Sequence, residues 1–252
     1  MIDIPETPGT LIAFLERYKA LTHQHETQRL VADQLAYARL LEGWQVLQQL
    51  HRRQQQLAPA YNVFSLLRNL TWDETRLHSP MLADLLYPRG AHGQGPLFYD
   101  ALLEQLRQLG IQPNRYQGRD AHFYHVATEV DTGDGFIDVL LTYRGPDARF
   151  AVAIENKIYA ADQDRQLARY QRYLEAQFGS RSLLLYLTPW RRDPDEASLT
   201  VAERQQLTEA GRLRCITYYD HVLPMLQGCL AQVQAPVVRQ ILEQYIQAIE
   251  NL

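Results

Sequence analysis

Residues 133–170 read GDGFIDVLLTYRGPDARFAVAIENKIYAADQDRQLARY. Gly133-Asp134 is a two-residue turn signal between two β-rich runs, HFYHVATEV (122–130) and FIDVLLTY (136–143), and so predicts a hairpin. Gly145-Pro146-Asp147 marks a second turn into a third strand, FAVAIENK (150–157). From Asp162 to Phe178 the pattern is helical, closed by Gly179. Downstream lie a nearly all-apolar strand, RSLLLYLTP (181–189), and a polar stretch, 190–199. A helix starts at Thr200, with Glu203 completing a capping box, and LRCITYY (213–219) is the last strand. Two helices, 220–232 and 236–250, close the chain. A β-meander followed by a β-α-β crossover, with helices before and after, predicts an α/β fold with a mixed sheet flanked by helices.

Upstream of the strands the chain reads as helical. Residues 9–57 form one long run in which Tyr37, Leu40, Leu41, Trp44, Leu47 and Leu50 recur at helical spacing. Those intervals suit a helix–helix seam, made with the main domain or with a second copy in a homodimer. His51, Arg52 and Arg53 belong to a solvated face or to a contact with nucleic acid. A break at Ala58-Pro59 divides the expected organisation into an N-terminal helical arm, 1–58, and an α/β domain, 59–252. Helices are expected over Asn62–Leu70, over HSPMLADLLYP up to Pro88, and over 96–109, with a turn at Thr71–Glu74. The loop GAHGQG (90–95) lacks the Lys and Ser/Thr of a phosphate-binding loop and follows no strand, which excludes a P-loop nucleotide site.

Composition narrows the function classes. A net charge of −4 argues against a protein that coats duplex nucleic acid non-specifically, while leaving room for a local basic groove. No apolar run approaches the roughly 20 residues that span a bilayer. The first residues carry acids where a secretion signal is basic, so a cytoplasmic, membrane-free protein is expected. Cys215 and Cys229 are too few and too isolated for a disulfide framework or a zinc site, and are expected as buried free thiols. Of 25 basic residues only two are lysines, Lys19 and Lys157. A lysine inside an apolar strand of so arginine-biased a chain suggests a task for a compact charge whose protonation shifts readily.

The polar residues within 133–170 need a physical reason. With Gly133-Asp134 as the loop, Thr132 pairs with Gly135 and Glu129 falls opposite Asp138 on one face. Like charges opposite each other destabilise a strand pair unless a cation lies between them. On the third strand Ala153, Glu155 and Lys157 share one face, so a central strand buries two charges beside small alanines. A plain Glu–Lys ion pair at a strand end is the bland alternative. On the helix that follows, Gln166 and Tyr170 stand at i, i+4 on the flank of the face made by Leu167, Leu174 and Phe178. Arg165, Arg169 and Arg172 form a separate stripe, facing solvent or a phosphate backbone.

The ordered set GFID138, E155NK157 and Q166LARY170 resembles the PD-(D/E)XK nuclease superfamily, including the Q-x-x-x-Y motif of its recombination-nuclease and exonuclease-like branches. The likeness extends to an uncharacterised bacterial group within it, through NVFSLL, Arg76-Leu-His78-Ser79 with ADLLYP, GAHGQG, LLYLTP, ITYYDHVLPML and LEQYIQAIENL, over roughly 62–252. The proline of the family's first motif is replaced by Ile137. The resemblance implies a restriction-endonuclease-like core and hydrolysis of nucleic acid, DNA foremost, in restriction, repair or phage defence. It implies Mg²⁺ or Mn²⁺ held by Asp138, Glu155 and the Asn156 carbonyl, with Glu129 and His78 as further candidate ligands. Lys157 would act on the attacking water or the transition state, steadied by Gln166 and Tyr170, and the arginine stripe would touch substrate. The alternative is a nuclease-like fold kept, without catalysis, for binding or assembly.

Overall fold

A computed structural model of the chain describes residues 8–57, 61–71 and 73–252. It divides into two compact units, Met1–Tyr61 and Asn62–Leu252. In the first, α1 (Pro8–Leu57) is a single 50-residue helix. Its larger apolar side chains, Leu30, Tyr37, Leu40, Trp44 and Leu47 among them, are exposed. The break expected at Ala58-Pro59 lies outside the described residues.

The second unit is built on one five-stranded sheet: β1 (Tyr124–Asp131), β2 (Phe136–Arg144), β3 (Arg149–Asn156), β4 (Ser182–Thr188) and β5 (Leu213–Thr217), in that spatial order. β1, β2 and β3 run antiparallel, and β4 and β5 continue parallel to β3. This is the meander plus crossover that the sequence predicts. The hairpin register is also as expected, with Thr128 opposite Val139 and Val130 opposite Ile137.

Helices cover both faces. α2 (Val63–Thr71), α3 (Ser79–Leu86), α4 (Leu97–Gln108), α7 (Leu223–Leu230) and α8 (Pro236–Ile249) belong to the larger side. There Val139, Leu141, Val152, Ile154, Leu185 and Ile216 meet Leu82, Phe98, Leu102, Leu226 and Tyr245. On the other face α5 (Gln166–Phe178) lays Leu167, Tyr170, Leu174 and Phe178 over Leu140, Ala151, Ala153 and Leu184. The alanines on β3 let α5 approach closely. α6 (Val201–Glu209) begins at Thr200 with both arms of its capping box formed.

Several boundaries differ from the sequence reading; the last strand, expected to run to Tyr219, ends at Thr217, where a wide helical turn, Tyr218–Val222, begins. The chain from Glu74 to His78 is already a wide helical turn leading into α3, capped by the Asp73 side chain on the Arg76 amide, rather than a plain reversal. β1 starts at Tyr124, leaving His122 in a short 3₁₀ turn instead of on a strand. α5 starts at Gln166, four residues late, because Arg165 takes a left-handed conformation (φ 51°) and the Asp162 carboxylate binds elsewhere. Cys215 and Cys229 are free thiols, Cys229 buried and Cys215 half-buried.

Candidate active site

β3 is the spine of the site. Pleating sends Val152, Ile154 and Asn156 to the face of α3, α7 and α8, and Ala153, Glu155 and Lys157 to the face of α5. The strand pairing continues past its last residue, since the Lys157 amide still bonds to the Leu187 carbonyl at 2.7 Å. Glu155 is 1% exposed and Lys157 5%. Their side chains form an ion pair, Nζ to Oε1, of 2.9 Å.

Gln166, at the first turn of α5, donates to the same Glu155 Oε1 at 2.8 Å and lies 3.1 Å from the Tyr170 hydroxyl. Its Oε1 accepts from the Gln163 amide, which fixes the carboxamide's orientation. Tyr170 in turn donates to the Phe136 carbonyl at 2.6 Å, tying α5 to the start of β2. Gly135 permits this contact twice over. Its φ of 144° is open to glycine, and a Cβ there would stand 3.2 Å from the Tyr170 ring.

Asp138 enters from β2, one residue beyond the last paired position, Val139 with Ile154. Its Oδ2 accepts the Asn156 amide at 2.6 Å, so the side chain replaces the next rung of the ladder. Burial pushes its carboxyl well above the usual range; the Asn156 amide and Lys157 oppose that shift, and Glu129 and Glu74 add to it. Glu155 is pushed up as well, by burial and then by the charge of Asp138, against the pull of Lys157. Tyr170 is raised to about 12 by burial and by Glu155. Glu155 Oε2 is buried and has no hydrogen-bond partner.

Beneath the site lies a second polar layer. The Asn156 carboxamide donates to Ser79 Oγ (3.2 Å) and accepts from the Tyr218 hydroxyl (3.2 Å). Glu74 accepts the amides of Ile158, Tyr159 and Ala160 through one oxygen. Burial works against its charge, but the three amides outweigh burial and hold its pKa below the ordinary value. The chain just after Lys157 is thus anchored by an acid from the segment before α3.

The structure therefore brings together Asp138, Glu155, Lys157, Gln166 and Tyr170. It sets others apart. Glu129 holds the register position opposite Asp138, but its backbone is left-handed (φ 51°), the ladder skips it, and its side chain is exposed. His78 lies among Tyr245, 3.1 Å from its Nδ1, and Tyr218, on the face that the Asn156 side chain enters. Burial lowers its pKa to about 4, leaving it neutral at neutral pH. Arg165 is paired bidentately with Glu203, Arg169 binds the Asp164 carbonyl, and Arg172 is exposed. His92 holds its own loop, through the Tyr87 carbonyl and the Gln94 amide.

One cluster escaped the sequence reading. Tyr186 stands beside Glu155 in the parallel ladder, and its hydroxyl lies 3.0 Å from the Asp162 carboxylate. Asp162 also accepts the Asp195 amide, and Arg192 donates to the Tyr186 hydroxyl at 2.6 Å. Only the strand order reveals that these residues meet; an apolar strand followed by a polar stretch gives no signal of it.

Among the described residues no three or more His, Cys, Asp or Glu side chains cluster around a common metal position. Two carboxylates and a backbone carbonyl remain, a sufficient set for a hard divalent ion that retains several waters. A protein-family model described as the PD-(D/E)XK nuclease superfamily matches residues 61–247. No curated protein and no solved structure matches the chain.

Proposed function

The chain belongs to the PD-(D/E)XK nuclease superfamily, and from that premise we propose that it is a divalent-metal-dependent nuclease hydrolysing phosphodiester bonds of DNA. The observation that carries the reading is the state of Glu155. One oxygen of this buried carboxylate serves both Lys157 and Gln166, and the other has no partner. A buried polar atom left unsatisfied costs roughly 1–3 kcal/mol, more when charged, and a cation against it removes that cost. The donor set fits Mg²⁺ or Mn²⁺: hard oxygens from Asp138, Glu155 and the Asn156 carbonyl.

When bound, the ion supplies the charge that lowers a water's pKa and offsets the negative charge building on the phosphate. The chain's own groups do the rest. Lys157 holds a compact positive charge at the carboxylates, where it orients the attacking water and meets charge on the phosphate oxygens. Gln166 fixes the Glu155 side chain, and Tyr170 fixes Gln166. The Asn156 amide keeps Asp138 turned toward β3. Glu129, exposed across from Asp138, adds to the negative potential that draws a cation in.

We assign the activity to restriction, repair or phage defence in the cytoplasm. We also propose that α1 pairs with a second copy of the chain, supported by its exposed leucines and aromatics between Leu30 and Leu50. Cleavage of single- and double-stranded DNA and RNA with Mg²⁺ or Mn²⁺ tests the activity, against Asp138→Ala and Lys157→Ala. Loss in both variants supports the site; equal cleavage by all three proteins refutes it.

A further inference from the structure

Four aromatic side chains are exposed among the described residues from 62 onward: Phe123, Phe136, Tyr159 and Trp190. Phe123 sits by the start of β1, at the far end of the sheet. The other three crowd the end that carries the site. Phe136 opens β2 two residues before Asp138, Tyr159 follows Lys157 by two residues, and Trp190 follows β4 by two. Because β2 runs antiparallel to β3, and β4 parallel to it, these positions lie at one sheet edge. They belong to three neighbouring strands, spaced about 5 Å apart.

Exposed aromatics cost solvation, and the backbone of each of these is fixed by a polar group. The Phe136 carbonyl accepts from Tyr170 (2.6 Å), the Tyr159 amide donates to Glu74, and the Trp190 carbonyl accepts from Thr188 Oγ1 (2.8 Å). Phe136, Tyr159 and Trp190 are 54%, 58% and 61% exposed. Cations lie beside two of the three. Arg191 and Arg192 follow Trp190, Arg192 being held by Tyr186, and the Arg169 guanidinium reaches the side of Gly135 next to Phe136. Exposed flat faces with guanidinium groups nearby have the chemistry of a base-stacking and phosphate-binding surface, which a duplex with its bases paired and covered cannot use.

We infer that the substrate strand is unpaired where it crosses the site, with its bases stacked on Phe136, Tyr159 and Trp190 and its phosphates met by Arg191 and Arg192. The inference rests on the nuclease reading for the polymer's identity, and narrows it to single-stranded or locally opened nucleic acid. DNA and RNA share this chemistry.

Binding without turnover separates the two readings. Full-length protein, in chelator, is titrated with a fluorescein-labelled thymidine oligonucleotide, the matching uridine oligonucleotide, an abasic oligonucleotide of equal length, and a duplex. Trp190→Ala is expected to weaken binding of the base-bearing strands by roughly 5- to 150-fold, the range for one stacked base, and to leave the abasic strand unaffected. Quenching of intrinsic tryptophan fluorescence by the base-bearing strands should fall in Trp190→Phe to what Trp44 and Trp72 contribute, while affinity stays near wild type. Unchanged melting of both variants is the folding control. Tighter binding of duplex than of single strand, or equal affinities in Trp190→Ala, Tyr159→Ala and Phe136→Ala, overturns the inference. If the aromatic dependence appears but no metal supports cleavage, the nuclease reading fails and this one stands. If duplex is cleaved and the aromatic variants cleave it equally, the reverse holds.

Discussion

Replacing Asp138 by Asn should make the metal-free protein more stable while abolishing its activity. The Asp138 carboxylate is buried beside Glu155, and its one hydrogen bond is to the Asn156 amide. Asparagine offers an amide oxygen of the same shape to that N–H. Exchanging a charge-assisted bond for a neutral one costs about 1 kcal/mol. Removing a desolvated negative charge, repelled by Glu129 and Glu74, returns more than that. A net gain of about 1–3 kcal/mol follows, or roughly 2–10 °C in melting temperature for a domain of this size. The pH dependence has a definite sign. Asp138 normally ionises near 3.8 and here ionises higher. The wild type therefore loses stability as pH rises from its ordinary value through the raised one, and the advantage of Asp138→Asn is small near about pH 4.5 and full near about pH 8. Excess Mg²⁺ or Mn²⁺ should raise the wild-type melting temperature at about pH 8 and leave the variant unmoved. Thermal melts at the two pH values, with and without metal, decide it. A variant less stable than wild type at the higher pH, or a gap independent of pH, refutes the reasoning.

Glu155→Gln should share that sign, because burial and the Asp138 charge outweigh the pull of Lys157 on its carboxylate: in urea unfolding of the metal-free protein its stability relative to wild type should rise as pH climbs from the ordinary carboxylate range through the raised value, and a gap that narrows with pH would refute this. Gly135→Ala forces a positive φ and presses a Cβ onto Tyr170, so stability should fall by about 1–3 kcal/mol, and cleavage with it, in parallel melts and nuclease assays. His78, buried with a pKa lowered to about 4, should show an imidazole NMR signal that stays neutral as pH falls from 7 to 5. Its contribution to stability, present above the ordinary 6.5, drains away as pH falls toward 4; a midpoint near 6.5 would place the ring in water.

The strands and their pleat were readable because a two-residue turn leaves one register, and that register put Asp138 where the structure has it. Alternation on β3 likewise separated Glu155 and Lys157 from Asn156. What pleating does not convey is backbone handedness. Glu129 shares the expected rung, yet its positive φ takes the side chain out of the pleat. The start of α5 was misplaced for a related reason. Asp162 looks like a helix cap in sequence, but Tyr186 and the Asp195 amide claim its carboxylate across the sheet. Helical spacing put Arg165, Arg169 and Arg172 on one stripe, but Arg165 is left-handed and lies just outside α5. Spacing could not show that Glu203, arriving 38 residues later in the chain, would take Arg165. Side-chain periodicity within an element survives in one dimension; partners from another element do not.

The anchoring of Asn156 has a consequence for when the site comes into being. Its carboxamide is gripped by Ser79, 77 residues earlier, and by Tyr218, 62 residues later. A growing chain on the ribosome can pair β1, β2 and β3 long before Tyr218 emerges, so the strand bearing Glu155 and Lys157 is made well ahead of its last support. Domains mature as units during synthesis, and here the residue that closes the unit arrives near the end. Nascent chains and fragments ending before Tyr218 carry Asp138, Glu155 and Lys157 with only one of the two supports of Asn156 in place.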